Sequence, residues 1–274
     1  MNEVEVYGAD HSPWVQAVLL GLHEAKVPHR VRSLPPRETF KTSGVMMPAA
    51  RMDGGSWRLE SADILHAIGF SEVSKADMQM VRRTWQGVMH RADSTPLFWG
   101  GFSFLGSDAP SAVVRAVDNF LRSFITLYMY VLIRTVVRTG RMPDPKDFGD
   151  QFLPLEERLK SGAPFLSGEK PDTVDFLAFG IIQCHCSIPV PPLFALQVDP
   201  RLERVRTWIG TMHEHFKGYD RLYSGSYFEP HSKPPTRPTR LERSTFWLGS
   251  LTMIVLFPIT VPLIAFLALR VRRD

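Results

Sequence analysis

Residues 4–26 read VEVYGADHSPWVQAVLLGLHEAK, a short β pattern running directly into a helical one. Val4–Tyr7 alternates and is β-branched, which predicts a strand. His11-Ser12-Pro13 is a turn that opens a helix over Trp14–Lys26, where Val15, Val18, Leu19 and Leu22 recur at helical spacing. Downstream, Pro28–Leu34 and Met46–Met52 are further candidate strands, the latter with Pro48 near its start. Gly54-Gly55 makes a turn, Trp57–Leu59 a fourth strand, and Ser61–Ile68 a second helix. The order is β-α-β, then β-β-α, which describes a small α/β unit.

Beyond Ser74 strand signals fade. The spacing predicts helices over Ala76–Arg91, Ala109–Arg138, Phe148–Lys160, Val174–Ser187 and Pro200–His215. Ala109–Arg138 is strongly apolar, but Arg122 and Arg134 leave only 11 residues between them, too short to cross a bilayer. A central core helix is the expectation. Hydrophobic residues make up 44% of the 274-residue chain and charged residues 22%, which excludes a disordered chain. Cys184 and Cys186 are one residue apart and build no disulfide framework. His185 between them reads as a core or groove residue, since no metal-ligand spacing accompanies it. Residues 1–20 lack the basic start and apolar run of a secretory signal.

The net charge of +4 is local. Residues 229–274 hold seven of the 32 basic residues and three of the 28 acids, so the first 228 residues carry 25 of each sign. No basic patch on the globular part points to nucleic acid. The tail itself reads FWLGSLTMIVLFPITVPLIAFLAL over Phe246–Leu269, without one ionisable side chain. A helix of that length spans about 36 Å, enough for a hydrocarbon core of about 30 Å. Arg240 and Arg243 flank one end, Arg270, Arg272 and Arg273 the other, and Trp247 stands where an interfacial aromatic belongs. Ser-Gly-Ser at 224–226 and KPPTRPTR at 233–240 read as a stiffened linker. A single membrane-spanning anchor with the globular part facing the cytosol is expected.

Four motifs carry the chemistry. Ser12 stands at a helix N-terminus, where N–H groups and the positive dipole end favour an anion, although an ordinary Ser-Pro cap reads the same way. Met47-Pro48 marks an edge or a special backbone geometry, because proline cannot donate to a ladder. Glu60-Ser61 brings a carboxylate and a hydroxyl to a helix entry, a cluster suited to an amino-acid head group. Asp172 with Asp175 is a capping-box variant that starts a buried helix, a structural device.

In this order the motifs resemble the cytosolic-type glutathione transferase family, most closely its serine-type classes. The resemblance spans residues 3–223. It implies a thioredoxin-like N-terminal domain (1–72) and an all-α C-terminal domain (73–223), to which the apolar run and its flanks add a linker (224–245), the transmembrane helix (246–269) and a basic tail (270–274). It further implies that Ser12 activates the thiol of glutathione, the co-substrate. Met47 beside a cis-Pro48 would pair with the cysteinyl backbone, and Glu60-Ser61 would hold the γ-glutamyl group. Phe98, Trp99 and Phe102 are the expected wall for a lipophilic electrophile, and a homodimer is the family's usual assembly. The competing expectation is a non-catalytic, tail-anchored adaptor of the same fold, similar to metaxins.

Overall fold

The computed structural model describes residues 3–10, 12–44, 46–86, 100–107, 109–139, 147–186, 191–223 and 237–270. Four strands form one mixed sheet: β1 (Val4–Tyr7), β2 (His29–Arg32), β3 (Ala49–Met52) and β4 (Trp57–Leu59), in the order β2-β1-β3-β4. β1 and β2 are parallel, joined by the crossover helix α1 (Pro13–Glu24), whereas β3 runs antiparallel to both β1 and β4. With α3 (Ser61–Ala67) closing the unit, this is a thioredoxin-like arrangement. β3 starts at Ala49, later than the expected Met46, because Pro48 has no N–H for the ladder. Helix α2 (Arg37–Ser43) was not expected; its sequence RETFKTS carries no apolar stripe. Val4, Val6, Val15, Val18, Leu19, Leu22, Ala50 and Ile64 form the core between sheet and helices.

The second domain is helical: α4 (Lys75–Arg83), α5 (Ala112–Thr139), α6 (Leu153–Arg158), α7 (Thr173–His185), α8 (Pro191–Val198) and α9 (Glu203–His215). The expected helix over 148–160 is shorter, ending in a 3₁₀ turn at Leu159–Ser161. The apolar α8 adds an element that two opening prolines had disguised as loop. At the centre lies α7, apolar on all sides and buried from Thr173 to Gln183. Its capping box is as expected: Asp172 accepts from Thr173 N–H, and Asp175 accepts from Asp172 N–H at 3.3 Å.

His185 closes α7 as a core residue. Its Nε2 lies 2.6 Å from the Thr84 carbonyl, so that nitrogen carries the proton, and Nδ1 finds no partner among the described residues. Burial pushes its pKa down to about 4, partly opposed by the Thr84 bond. The folded state therefore holds a neutral ring where an unfolded chain binds a proton below about 6.5. Stability from this group is complete above that value and is lost as pH falls from about 6.5 toward 4. Urea titrations across this range should show the decline, and it should be smaller in His185→Gln.

The tail departs from the expected single span. Helix α10 begins at Arg240, inside the predicted linker, because Thr239 and Glu242 form a capping box that the polar flanking sequence concealed. Thr239 donates its N–H and hydroxyl to Glu242 Oε2 at 2.7 and 2.6 Å. α10 runs Arg240–Val255, and α11 restarts at Phe257 and runs to Arg270. The two are bent by 80°. Pro258 is the reason, since its ring excludes the carbonyl four residues earlier and it has no N–H to give. Ile259 and Thr260 donate instead to the Leu256 carbonyl at 2.9 and 2.8 Å, capping the new helix. Among the described residues no single helix is long and apolar enough to cross a membrane, though the bent pair together has the composition.

Nor does α10 hang free of the body. Phe246, Gly249, Ser250 and Met253 are buried, and α10 packs along α5. A Cβ on Gly249 would meet Ser123 Oγ at 2.1 Å and the Phe120 carbonyl at 2.7 Å. Glu242, 2% exposed, accepts from Ser107 N–H at 3.1 Å and Asn119 Nδ2 at 3.3 Å, with Arg115 Nε at 4.0 Å. Burial alone would raise its pKa, but the hydrogen bonds from Thr239 and Ser107 and the Arg115 charge hold it below the ordinary value.

Candidate functional site

Strand register brings three distant motifs to one end of the sheet. Tyr7, the last residue of β1, pairs with Ala49, the first of β3. Ala49 in turn pairs with Leu59, the last of β4. At the end of that row stand the loop to Ser12, the Met47-Pro48 peptide, and the Glu60-Ser61 entry to α3. Strands are spaced about 4.8 Å apart, so the outer two chain ends of the row are separated by about 10 Å.

Ser12 occupies the N-cap position of α1 with extended backbone, yet its side chain makes no cap hydrogen bond. Only its backbone serves the helix, the carbonyl accepting from Gln16 N–H at 2.9 Å. The first turn of α1 therefore keeps its outward N–H groups and the hydroxyl uncommitted to one another, which the ordinary cap reading would not have given. The position is closely packed. α1 packs between α3 and α7, and a Cβ on Gly180 of α7 would lie 2.2 Å from the Pro13 carbonyl.

The Met47-Pro48 bond is cis, Pro48 is buried, and Met47 packs at the rim of the sheet core. Glu60 takes φ 63° and ψ 116°, a left-handed conformation that a non-glycine residue holds at a cost of about 1–3 kcal/mol. Its carbonyl accepts from Ile64 N–H at 3.1 Å, while its side chain caps nothing and the residue is exposed. Strain of this kind collects where a residue is held for a purpose other than helix initiation. Ser61 is buried, 5% exposed, as the first residue of α3.

Two participants escaped the sequence reading. Gln16, fully buried one turn after Ser12, donates from Nε2 to the Arg221 carbonyl at 2.9 Å and accepts at Oε1 from Tyr223 N–H at 3.0 Å. That strap brings Arg221 to Asp10, with Nη1 3.4 Å from each carboxylate oxygen. Burial raises the Asp10 pKa and the Arg221 charge opposes it. The one available signal was a lone glutamine in the apolar stripe of α1.

Other groups are removed from this chemistry. Tyr7 is 1% exposed, and burial pushes its phenol up to about 12. Burial likewise raises the Cys184 thiol to about 12 and the Cys186 thiol further. Phe102, expected in the wall for a lipophilic electrophile, is 7% exposed within the helical core; Phe98 and Trp99 lie outside the described residues. Among the described residues no group of three or more His, Cys, Asp or Glu side chains could hold a metal ion.

No protein-family model matches the chain, and no curated protein does either. Solved structures do resemble it. A delta-class glutathione transferase from Nilaparvata lugens is 14% identical over 90% of this chain and 99% of its own, with a TM-score of 0.46. A point mutant of a human glutathione S-transferase, in its apo form, is 17% identical over 92% and 99%, at 0.43. A theta-class enzyme from Xanthomonas axonopodis pv. citri is 18% identical over 77% and 91%, at 0.38. At such identities and scores these likenesses assign neither substrate nor activity.

Proposed function

We propose that the chain is a glutathione transferase-like protein that binds glutathione across the β1–β3–β4 row and uses Ser12 to activate its thiol. The observation that carries this reading is the Tyr7–Ala49–Leu59 register, which gathers a hydroxyl at a helix N-terminus, a cis-proline peptide and a strained Glu-Ser entry. An extended three-residue ligand measures about 10 Å, the width of that row. In this reading the γ-glutamyl end lies at Glu60-Ser61, the cysteinyl backbone at Met47, and the sulfur at Ser12.

The energetics are adequate. A free thiol has a pKa of about 8.5, and lowering it by about two units requires about 2.7 kcal/mol. A hydrogen bond from the Ser12 hydroxyl to the sulfur anion supplies about 1.5–3 kcal/mol, and the α1 N-terminus adds about 0.3–1 kcal/mol. The thiol proton leaves to solvent. The thiolate lone pair then forms a carbon–sulfur bond with an electrophilic carbon, and the bond to the leaving group breaks with its electron pair. The apolar tail and its basic flanks support attachment to a membrane on the cytosolic side, where lipophilic electrophiles concentrate.

One observation favours the adaptor reading instead. Many members of the family that the motifs resemble hold the glycyl carboxylate with a lysine two residues before this proline, and here that residue is Met46. Calorimetric titration of the detergent-solubilised full chain with glutathione decides between the two. The enzyme reading expects binding at millimolar concentration or better, with turnover of a chloronitrobenzene; no binding at about ten millimolar would end it. Met46→Lys should tighten binding by about tenfold, the worth of one new charge-assisted hydrogen bond. An unchanged dissociation constant would remove the carboxylate from that place.

A further inference from the structure

We infer that the α10–α11 pair attaches the protein to one leaflet of a bilayer as an interfacial, non-spanning element, leaving Arg270 and the residues after it on the same side as the globular domains. This rests on the membrane attachment proposed above and specifies its form. α11 has 14 residues and a length of about 21 Å, short of a hydrocarbon core of about 30 Å. A straight continuation through α10 is what would complete a span, and the 80° bend removes it.

Docking restricts α10 further. Its inner face lies along α5, fixed by the buried Glu242 carboxylate and by the close approach at Gly249, so lipid cannot surround it. Immersing α10 would drag Arg115, Asp118 and Arg122 of α5 into hydrocarbon. Its outer face is a different matter. Trp247, Leu248, Leu251, Ile254 and Val255 are 48–68% exposed, and α11 adds Ile259, Leu263 and Phe266 at helical spacing. One face docked on protein and the other apolar and open is the arrangement of a helix lying in the interface plane.

Charge selects the occupant. From Phe246 to Leu269 there is no ionisable group, while the exposed Arg240 and Arg243 flank the apolar surface and Arg270, Arg272 and Arg273 follow it in the sequence. An apolar patch rimmed by arginine suits the acyl boundary beneath anionic headgroups. A second copy of the chain would bring the same arginines face to face.

The test is made on the full chain carrying Asp274→Cys, synthesised in the presence of microsomal vesicles and floated through a density gradient. A membrane-impermeant maleimide is then applied to the intact vesicles, with the parent chain giving the background from Cys184 and Cys186. The expected result is flotation with Cys labelling equal, within about twofold, before and after detergent. Flotation with labelling that appears only after detergent would show a span, overturning this inference while leaving membrane attachment intact. A chain that does not float, including one that sediments as a dimer through this surface, would overturn both.

Discussion

Replacing Asp175 by alanine is expected to cost the fold about 3–5 kcal/mol. The carboxylate is completely buried. It accepts from Leu166 N–H at 2.7 Å, Ser167 N–H at 3.0 Å and the Trp208 indole N–H at 2.9 Å, and closes the α7 capping box on Asp172. Burial raises its pKa, and these donors pull against that shift. Each buried donor left without an acceptor costs about 1–3 kcal/mol, and relaxation recovers part of the sum. Domain stabilities are about 5–15 kcal/mol, so the loss is a large share. Asp175→Asn, which keeps one acceptor oxygen, should lose about half as much. Urea unfolding of the three proteins measures this, and a loss below about 1 kcal/mol for alanine would contradict the geometry. Because Gly180 of the same helix presses on the Pro13 carbonyl, loosening α7 should also depress any activity that depends on Ser12.

Ser12→Ala should lower the rate of thiol conjugation at neutral pH by about 25-fold, because a thiol of pKa about 8.5 is about 3% ionised at pH 7 and one of pKa about 6.5 is about 75% ionised. The effect is confined to the charged sulfur. Glutathione affinity should stay within about threefold, because the peptide contacts lie on β3 and at the entry to α3. The rate–pH profile carries the decisive signature: the limb that reports thiol ionisation should move up toward about 8.5 in the variant. A variant retaining more than about one third of the parental rate would place the hydroxyl outside the reaction. Stability should barely change, since the side chain makes no cap hydrogen bond that alanine could abolish.

Much of the fold was legible wherever short-range physics decided it. The β1–α1 junction, the β4–α3 junction and the Asp172/Asp175 box each declare themselves through alternation, a cap residue or a proline. Where long-range contacts decided, the sequence was mute. Gln16 looks like a tolerated polar residue until Arg221 and Tyr223 arrive from about 200 positions away to use both ends of its amide. The tail misled for a related reason. Composition reports how apolar a stretch is, but Pro258 sets where it turns, and Glu242 becomes a buried clamp only because Ser107 and Asn119 are waiting for it. Ser12 shows the opposite case: its residue type and position predict a side-chain cap, and the side chain makes no cap hydrogen bond.

The Glu242 clamp makes the C-terminal helix part of the body that it packs on. Proteolysis just ahead of Arg240 would remove the carboxylate that Ser107, Asn119 and Arg115 share and uncover the flank of α5. The C-terminal helix and the helical domain are thus one cooperative unit, so a severed copy would lose stability along with its tail.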